Sequence, residues 1–233
     1  MPAAVFDVPR YLAVLPLFAG LSDADLQGMA REGVAALRLE RGTMLLHAGD
    51  ACDAVHLVVT GHVKLYTVAS HGAEKVFELV GAGQSIGDTL IFNQQPYSFS
   101  AQALTEALVL RVPAALLTAQ VQRDPAFALR LLAGASQRIQ GLLRDVESYC
   151  LHSGAHRVVG YLLEQGGTDG QGSAEPITVS LPVSKANVAA RLSLTPEYFS
   201  RVLRELEDEG LIQICRRDIR IMQPRRLARY TVQ

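Results

Sequence analysis

The chain has 233 residues, is 49% apolar and carries a net charge of −1, which describes an ordinary globular protein with room for two modest cores. No apolar run reaches the ~18 residues that a membrane helix needs, and the start, MPAAVFDVPR, lacks the basic-then-apolar order of a signal peptide. Cysteines stand only at 52, 150 and 215, so no disulfide framework or zinc knuckle is expected, and the expected compartment is the reducing cytoplasm. In chain order, residues 9–32 read as short helices, with Ser22 as N-cap before Asp23–Ala30. From Leu37 to Arg111 short β-type runs follow, at Val55–Val59, Val63–Val68, Val76–Val80 and Leu108–Val112. Gly49-Asp50, Gly61, His71-Gly72, Gly81, Gly83 and Gly87 mark the turns between them. Strands this short and this closely spaced predict a compact antiparallel barrel or roll.

A long helix is predicted next, from Asp124-Pro125 to Cys150-Leu151. Asp124 suits the cap and Pro125 the first helical position, where a missing N–H is not needed. Leu129, Leu132, Ser136, Ile139, Leu143, Val146 and Cys150 recur at alternating spacings of three and four, an a/d seam with charged and amide residues on the other faces. A strict 3.5-residue period fits a partner helix better than a domain core, and the same helix of a second chain is the expected partner. Over about 27 residues such a helix spans roughly 40 Å.

After a small polar break at Leu151-His152-Ser153-Gly154, Ser153 is placed to cap a helix that runs through Leu163. Gly166–Glu175 reads as a loop, Ile177–Leu181 as a strand, and Ser184 as the cap of a helix to about Leu192. Ser193-Leu194 turns the chain into Thr195-Pro196-Glu197, which combines an N-cap, a first-position proline and an acid in the first turn. That helix ends near Gly210, and Leu211–Cys215 with Ile219–Met222 form a hairpin about Arg216-Arg217-Asp218. Two helices joined by a short turn and followed by a hairpin make a winged helix-turn-helix. Residues 153–233 hold 11 Lys+Arg against 9 Asp+Glu, so the C-terminal part is the mildly basic one.

The whole pattern resembles the CRP/FNR family of bacterial transcription regulators, and SKANVAARLSLTPEYFSRVLRELEDEGLI (184–212) carries most of the resemblance. Glu197-x-x-Ser200-Arg201 is similar to the E-x-x-S-R base-reading motif of the FNR branch. AHRVVGYLL (155–163) and TPEYFSRVL (195–203) resemble the Dnr-type, nitric-oxide-responsive regulators. The fold implied is α+β: an antiparallel β-roll of the cyclic-nucleotide-binding type (1–123), a dimerisation helix and hinge (124–152) and a winged helix-turn-helix (153–233). The resemblance implies a cytoplasmic homodimeric regulator, most simply an activator, with double-stranded DNA and RNA polymerase as partners. It also implies a palindrome of the TTGAT-N4-ATCAA type. Arg201 can give a guanine two hydrogen bonds, Glu197 can accept from a cytosine amine, and Ser200 is small enough for close approach to a base or a thymine methyl. Thr195, Lys185, Arg216 and Arg217 are placed to meet phosphates.

The effector stretch of the resemblance falls on Gly87-Asp88 and Phe99-Ser100-Ala101. Cyclic-nucleotide binders of the family carry Gly-Glu and Arg-Ser-Ala there, so Phe99 replaces the cation that would pair with the phosphate. A buried phosphate without that cation is costly to desolvate, which argues against cyclic AMP. An FNR-type iron–sulfur cluster needs four cysteines, and the chain has three. Gas-sensing relatives bind haem in the roll, so haem b is admitted, with His62, His71 or the amine of Pro2 as candidate ligands, although no haem motif is visible. Gly83-Gln84-Ser85-Ile86-Gly87 matches the G-x-S-x-G pattern of hydrolases but lacks the strand-then-long-helix context. His47, His56 and His62 lie in β-rich sequence without the His-x-His of a metal-binding roll, and His152 and His156 straddle the polar break. No catalytic or metal-ligating set is therefore expected. The alternatives are a cyclic-nucleotide-responsive regulator of the same fold, a roll-type interaction protein that does not bind DNA, and a metal- or serine-dependent enzyme.

Overall fold

In the computed structural model, described over residues 6–93, 95–167 and 175–230, the chain forms two compact units, 1–141 and 142–233. The first opens with helices α1 (Val8–Ala13) and α2 (Asp23–Arg31), and Ser22 closes a reciprocal capping box with Asp25. Eight strands follow: β1 (Ala35–Leu39), β2 (Met44–Leu46), β3 (Ala54–Thr60), β4 (Val63–Val68), β5 (Glu74–Val80), β6 (Ser85–Ile86), β7 (Ser100–Ala103) and β8 (Ala107–Pro113). They pair antiparallel into two four-stranded sheets, in the orders β1-β8-β3-β6 and β2-β7-β4-β5. The expected strands are therefore present, together with β1, β2, β6 and β7, which composition alone does not announce.

Alternation along β8 explains the layering. Ala107 and Val109 point into the core between the sheets with Val58, Val63, Leu65, Val80 and Ile86. Leu110 and Val112 point the other way, into a second core with Leu12, Phe18, Leu26, Met29, Val55 and Leu57. Strand β3 is buried on both faces, which is why its sequence reads as a nearly unbroken apolar run. Helix α3 (Ala114–Arg123) covers part of the second core and leads into α4 (Pro125–Leu151). The Asp124 carboxylate accepts from the Ala126 N–H at 2.9 Å, capping α4, and Phe127 is wholly buried in the second core, 5.8 Å from the Phe18 ring.

The other unit begins inside α4 and contains α5 (Gly154–Gln165), β9 (Ile177–Ser180), α6 (Lys185–Arg191), α7 (Pro196–Asp208), β10 (Ile212–Cys215), β11 (Asp218–Ile221) and α8 (Pro224–Ala228). Strands β10, β11 and β9 make an antiparallel sheet in that order, so the hairpin gains a third strand from the 177–180 segment. The core joins Val158 and Leu162 of α5 to Val188 and Ala189 of α6, and to Phe199, Val202, Leu203 and Leu206 of α7. Most of the Gly166–Glu175 loop and the Pro2 amine lie outside the described residues. Among the described residues, no helix is long and apolar enough to cross a membrane.

Candidate DNA-reading face and effector domain

Helix α7 follows α6 after a four-residue connection in which Ser193 takes a left-handed backbone, with φ of 56°. Thr195 caps α7 by accepting from the Tyr198 N–H at 3.2 Å, and Pro196 opens the first turn. The helix buries one stripe (Phe199, Val202, Leu203 and Leu206) and leaves the opposite face outward. On that face Glu197 and Arg201 are exposed and Ser200 is half-buried. Arg204, which the motif does not include, continues the same row one turn further on and is also exposed. The Arg201 guanidinium rests over the Tyr198 ring at 4.8 Å, with its Nε 3.6 Å from Glu205, so it is held on the helix surface and ready to extend. Lys185 is half-buried in the first turn of α6. Arg216 and Arg217 are exposed at the β10–β11 turn, where Arg216 carries the second left-handed non-glycine backbone, at 59°. A hydrogen bond from the Ile214 N–H to Glu207, at 2.7 Å, ties this wing to α7.

On α4 the seam residues behave as a set. Leu129, Leu132, Ile139, Leu143 and Val146 are 56–67% exposed, and Ser136 and Cys150 are exposed beside them. Phe127, Leu131, Arg138, Asp145 and Tyr149 turn inward instead. An apolar row this long facing outward on a single chain is unusual unless another surface covers it.

In the roll, the predicted effector residues surround a polar junction that the chain fills itself. Arg138 of α4 donates to Asp88 at 2.8 Å, to the Ser85 carbonyl at 2.7 Å and to Glu78 at 3.2 Å. The Ser85 hydroxyl donates to the other Asp88 oxygen at 2.7 Å, so the serine of G-x-S-x-G is a structural donor on the short strand β6. Gly87 is left-handed, with φ of 89°, and a Cβ there would stand 3.0 Å from the Tyr97 ring. Phe99 packs edge-on against Phe77 and Tyr97, with centroids 5.5 and 5.7 Å away. Ser100 accepts from the Ala48 N–H, and Ala101 is fully buried. Tyr97 donates to the Ala54 carbonyl at 2.7 Å and lies 3.5 Å from the Nδ1 of His56. Burial, reinforced by nearby Arg111, pulls the His56 pKa down to about 4, so this ring is neutral at physiological pH.

The sequence did not single out Arg138 or Tyr97, and it raised His56 only as a metal ligand to be set aside. Arg138 looks like any charged residue off the seam, because its partners lie 50 and 60 residues earlier. His62 stands just before β4 and His71 just beyond it, at opposite ends of a strand of roughly 20 Å. One iron therefore meets at most one of them.

Two family models match this arrangement: the cyclic nucleotide-binding domain over residues 36–124 and the Crp-like helix-turn-helix domain over residues 156–230. The chain is 30% identical over 216 residues to the "Probable transcriptional regulator flp" of Lacticaseibacillus casei, covering 90% of this chain and 93% of that one. It is 23% identical over 184 residues to the fumarate and nitrate reduction regulatory protein of Vibrio cholerae, covering 79% and 73%. Among solved structures, DNR from Pseudomonas aeruginosa shares 30% identity with a TM-score of 0.51, over 97% of this chain and 100% of that one. FixK2 from Bradyrhizobium japonicum shares the fold, with a TM-score of 0.75 at 21% identity, over 86% and 98%. These relatives and domains are those of regulators rather than enzymes. With an exposed reading helix on a winged helix-turn-helix, a roll of the cyclic-nucleotide-binding type and relatives matched over nearly its whole length, the chain belongs to the CRP/FNR family of DNA-binding transcription regulators.

Proposed function

We propose that the protein is a cytoplasmic homodimeric activator that reads a TTGAT-N4-ATCAA-like palindrome and recruits RNA polymerase. The observation that carries this reading is the capped start of α7, which sets Glu197, Ser200 and Arg201 together on one outward face. Arg201 reads the G of each half-site bidentately, Glu197 the opposing C, and Ser200 the neighbouring T·A pair. Thr195, Lys185, Arg216 and Arg217 anchor the phosphates. The outward row on α4 supplies the two-fold seam, which places the recognition helices about 34 Å apart, one turn of B-DNA.

Control runs from the roll to α4. Arg138, bonded to Asp88, Glu78 and Ser85, stands one residue from the seam residue Ile139. An effector that alters those bonds therefore biases the seam between two arrangements, and the 151–153 hinge passes the change to residues 153–233. Two features of the roll argue against cyclic AMP as the effector. Asp88 already has its guanidinium, and Phe99 is packed among aromatic rings where a phosphate would need a cation.

The family resemblance makes haem carrying nitric oxide the first effector chemistry to test. His62 and His71 do not pair, and the aromatic interior around Phe99 is filled, so these residues do not form a haem cradle and no step is assigned to the group. An absorbance spectrum of the purified protein between 350 and 600 nm, with haemin and then nitric oxide, tests it. The DNA reading is tested by binding to the palindrome, to its single-position variants and to a scrambled duplex over a salt series. Equal affinity for palindrome and scrambled duplex would overturn it.

A further inference from the structure

The joint between α4 and the helix-turn-helix holds a polar cluster that base reading leaves unused. Asp145 and Tyr149 stand one turn apart on α4, and Arg191 is the last residue of α6. The Arg191 guanidinium donates to Asp145 at 2.6 Å and to the Tyr149 hydroxyl at 2.7 Å. That hydroxyl in turn donates to the Arg191 backbone carbonyl at 2.7 Å, satisfying one of the acceptors that a helix end leaves open. The Arg157 guanidinium of α5 lies 5.6 Å from the Tyr149 ring centre. On the other side of the break, a Cβ on Gly154 would stand 2.6 Å from the Tyr198 ring of α7 and 2.9 Å from Leu194. The end of α4 and the start of α5 thus grip both helices of the reading motif, before and after its turn. Asp145, Tyr149 and Arg191 all lie off α7, and Tyr198, whose ring carries the Arg201 guanidinium, is where the grip meets the reading face.

A peptide joint at residues 151–153 would by itself allow several settings of the reading unit on α4. Charge-assisted bonds to the end of α6 select one of them. We propose that Asp145, Tyr149 and Arg191 are positioning residues that clamp the helix-turn-helix to α4 and thereby fix the half-site spacing the dimer accepts. This rests on α4 being the dimer seam. Adding or removing one base pair turns a half-site by about 34° and moves it about 3.4 Å, so only a held joint makes the dimer strict about spacing.

The test uses full-length protein, its Tyr149→Phe and Arg191→Gln variants, and palindromes with three, four or five central base pairs. A four-base-pair duplex with the half-site G replaced serves as the base-reading control. The preference of wild type for its best spacer over the neighbouring ones should fall by about tenfold in Tyr149→Phe, which loses both hydroxyl bonds, the one to the charged guanidinium and the one to the Arg191 carbonyl. Preference for G at the best spacer should stay unchanged. Tyr149→Phe keeps the ring, so it remains informative if Arg191→Gln fails to fold. An unchanged spacer preference in a folded Tyr149→Phe dimer would overturn the clamp alone, and so would a parallel loss of G preference. A wild type that sediments as a monomer and shows no spacer preference would overturn the dimer reading, and the clamp with it.

Discussion

Arg201 and His56 are each constrained by their neighbours, one on the surface and one in the core. To reach a base, Arg201 must leave the Tyr198 ring and Glu205, contacts that are exposed and weakly held. The proposed guanine contact that would replace them discriminates by roughly 1–3 kcal/mol per half-site. Arg201→Ala should therefore cost about 2–6 kcal/mol per dimer and flatten the preference for G, as a binding series on half-site variants would read. Equal losses on G and non-G sites would make Arg201 a backbone contact. His56 has its folded pKa near 4 against about 6.5 for an ordinary histidine, so the folded ring resists protonation. Above pH 6.5 both states are neutral and the residue adds no pH dependence. As pH falls from 6.5 towards 4 the unfolded ring takes a proton that the folded one refuses, and stability drops by up to about 3 kcal/mol. Urea unfolding should show that loss in wild type but not in His56→Leu, once the two slopes against pH are subtracted.

Helix α4 has two distinct faces, an apolar outward row and an inward one that meets the roll. Outward, Leu143→Asp would place two carboxylates face to face in an apolar seam, and burying unpaired charge costs several kcal/mol. Light scattering should find monomer at micromolar concentration, and an unchanged dimer would refute the seam. Inward, Arg138→Ala takes the shared guanidinium away from Asp88 and Glu78, all three being about one-fifth exposed. Screening at that exposure lowers the cost of a broken buried pair to roughly 2–3 kcal/mol, measurable as a shift in the denaturation midpoint. The outward face was legible in the sequence because its period is local, and the same holds for the caps at Ser22, Ser153, Ser184 and Thr195. The inward face was not, since Arg138 has meaning only against a sheet assembled from residues far upstream. Strand β1 was missed for a related reason. AALRL has helix-forming composition, and pairing with Ala107–Arg111 of β8 overrides it. β7 (SAQA) likewise owes its extended form to β2 and β4 on either side.

At the scale of the whole chain, the roll of the cyclic-nucleotide-binding type holds an aromatic cluster at Phe99 and an internal ion pair at Asp88. Calorimetry should find cyclic AMP binding no tighter than unrelated nucleotides, and a micromolar dissociation constant would overturn that reading. The reading unit has its own signature, for α7 sets Glu197 and Glu205 beside Arg201 and Arg204, and residues 153–233 carry only two more basic than acidic residues. Attraction to arbitrary DNA scales with the phosphates neutralised, so this surface has little hold on sequence it does not recognise. Such a surface would leave few copies sequestered along the chromosome. A regulator built this way is expected to reach its sites by repeated collision rather than by long one-dimensional sliding, and a shallow salt slope on a scrambled duplex would check it.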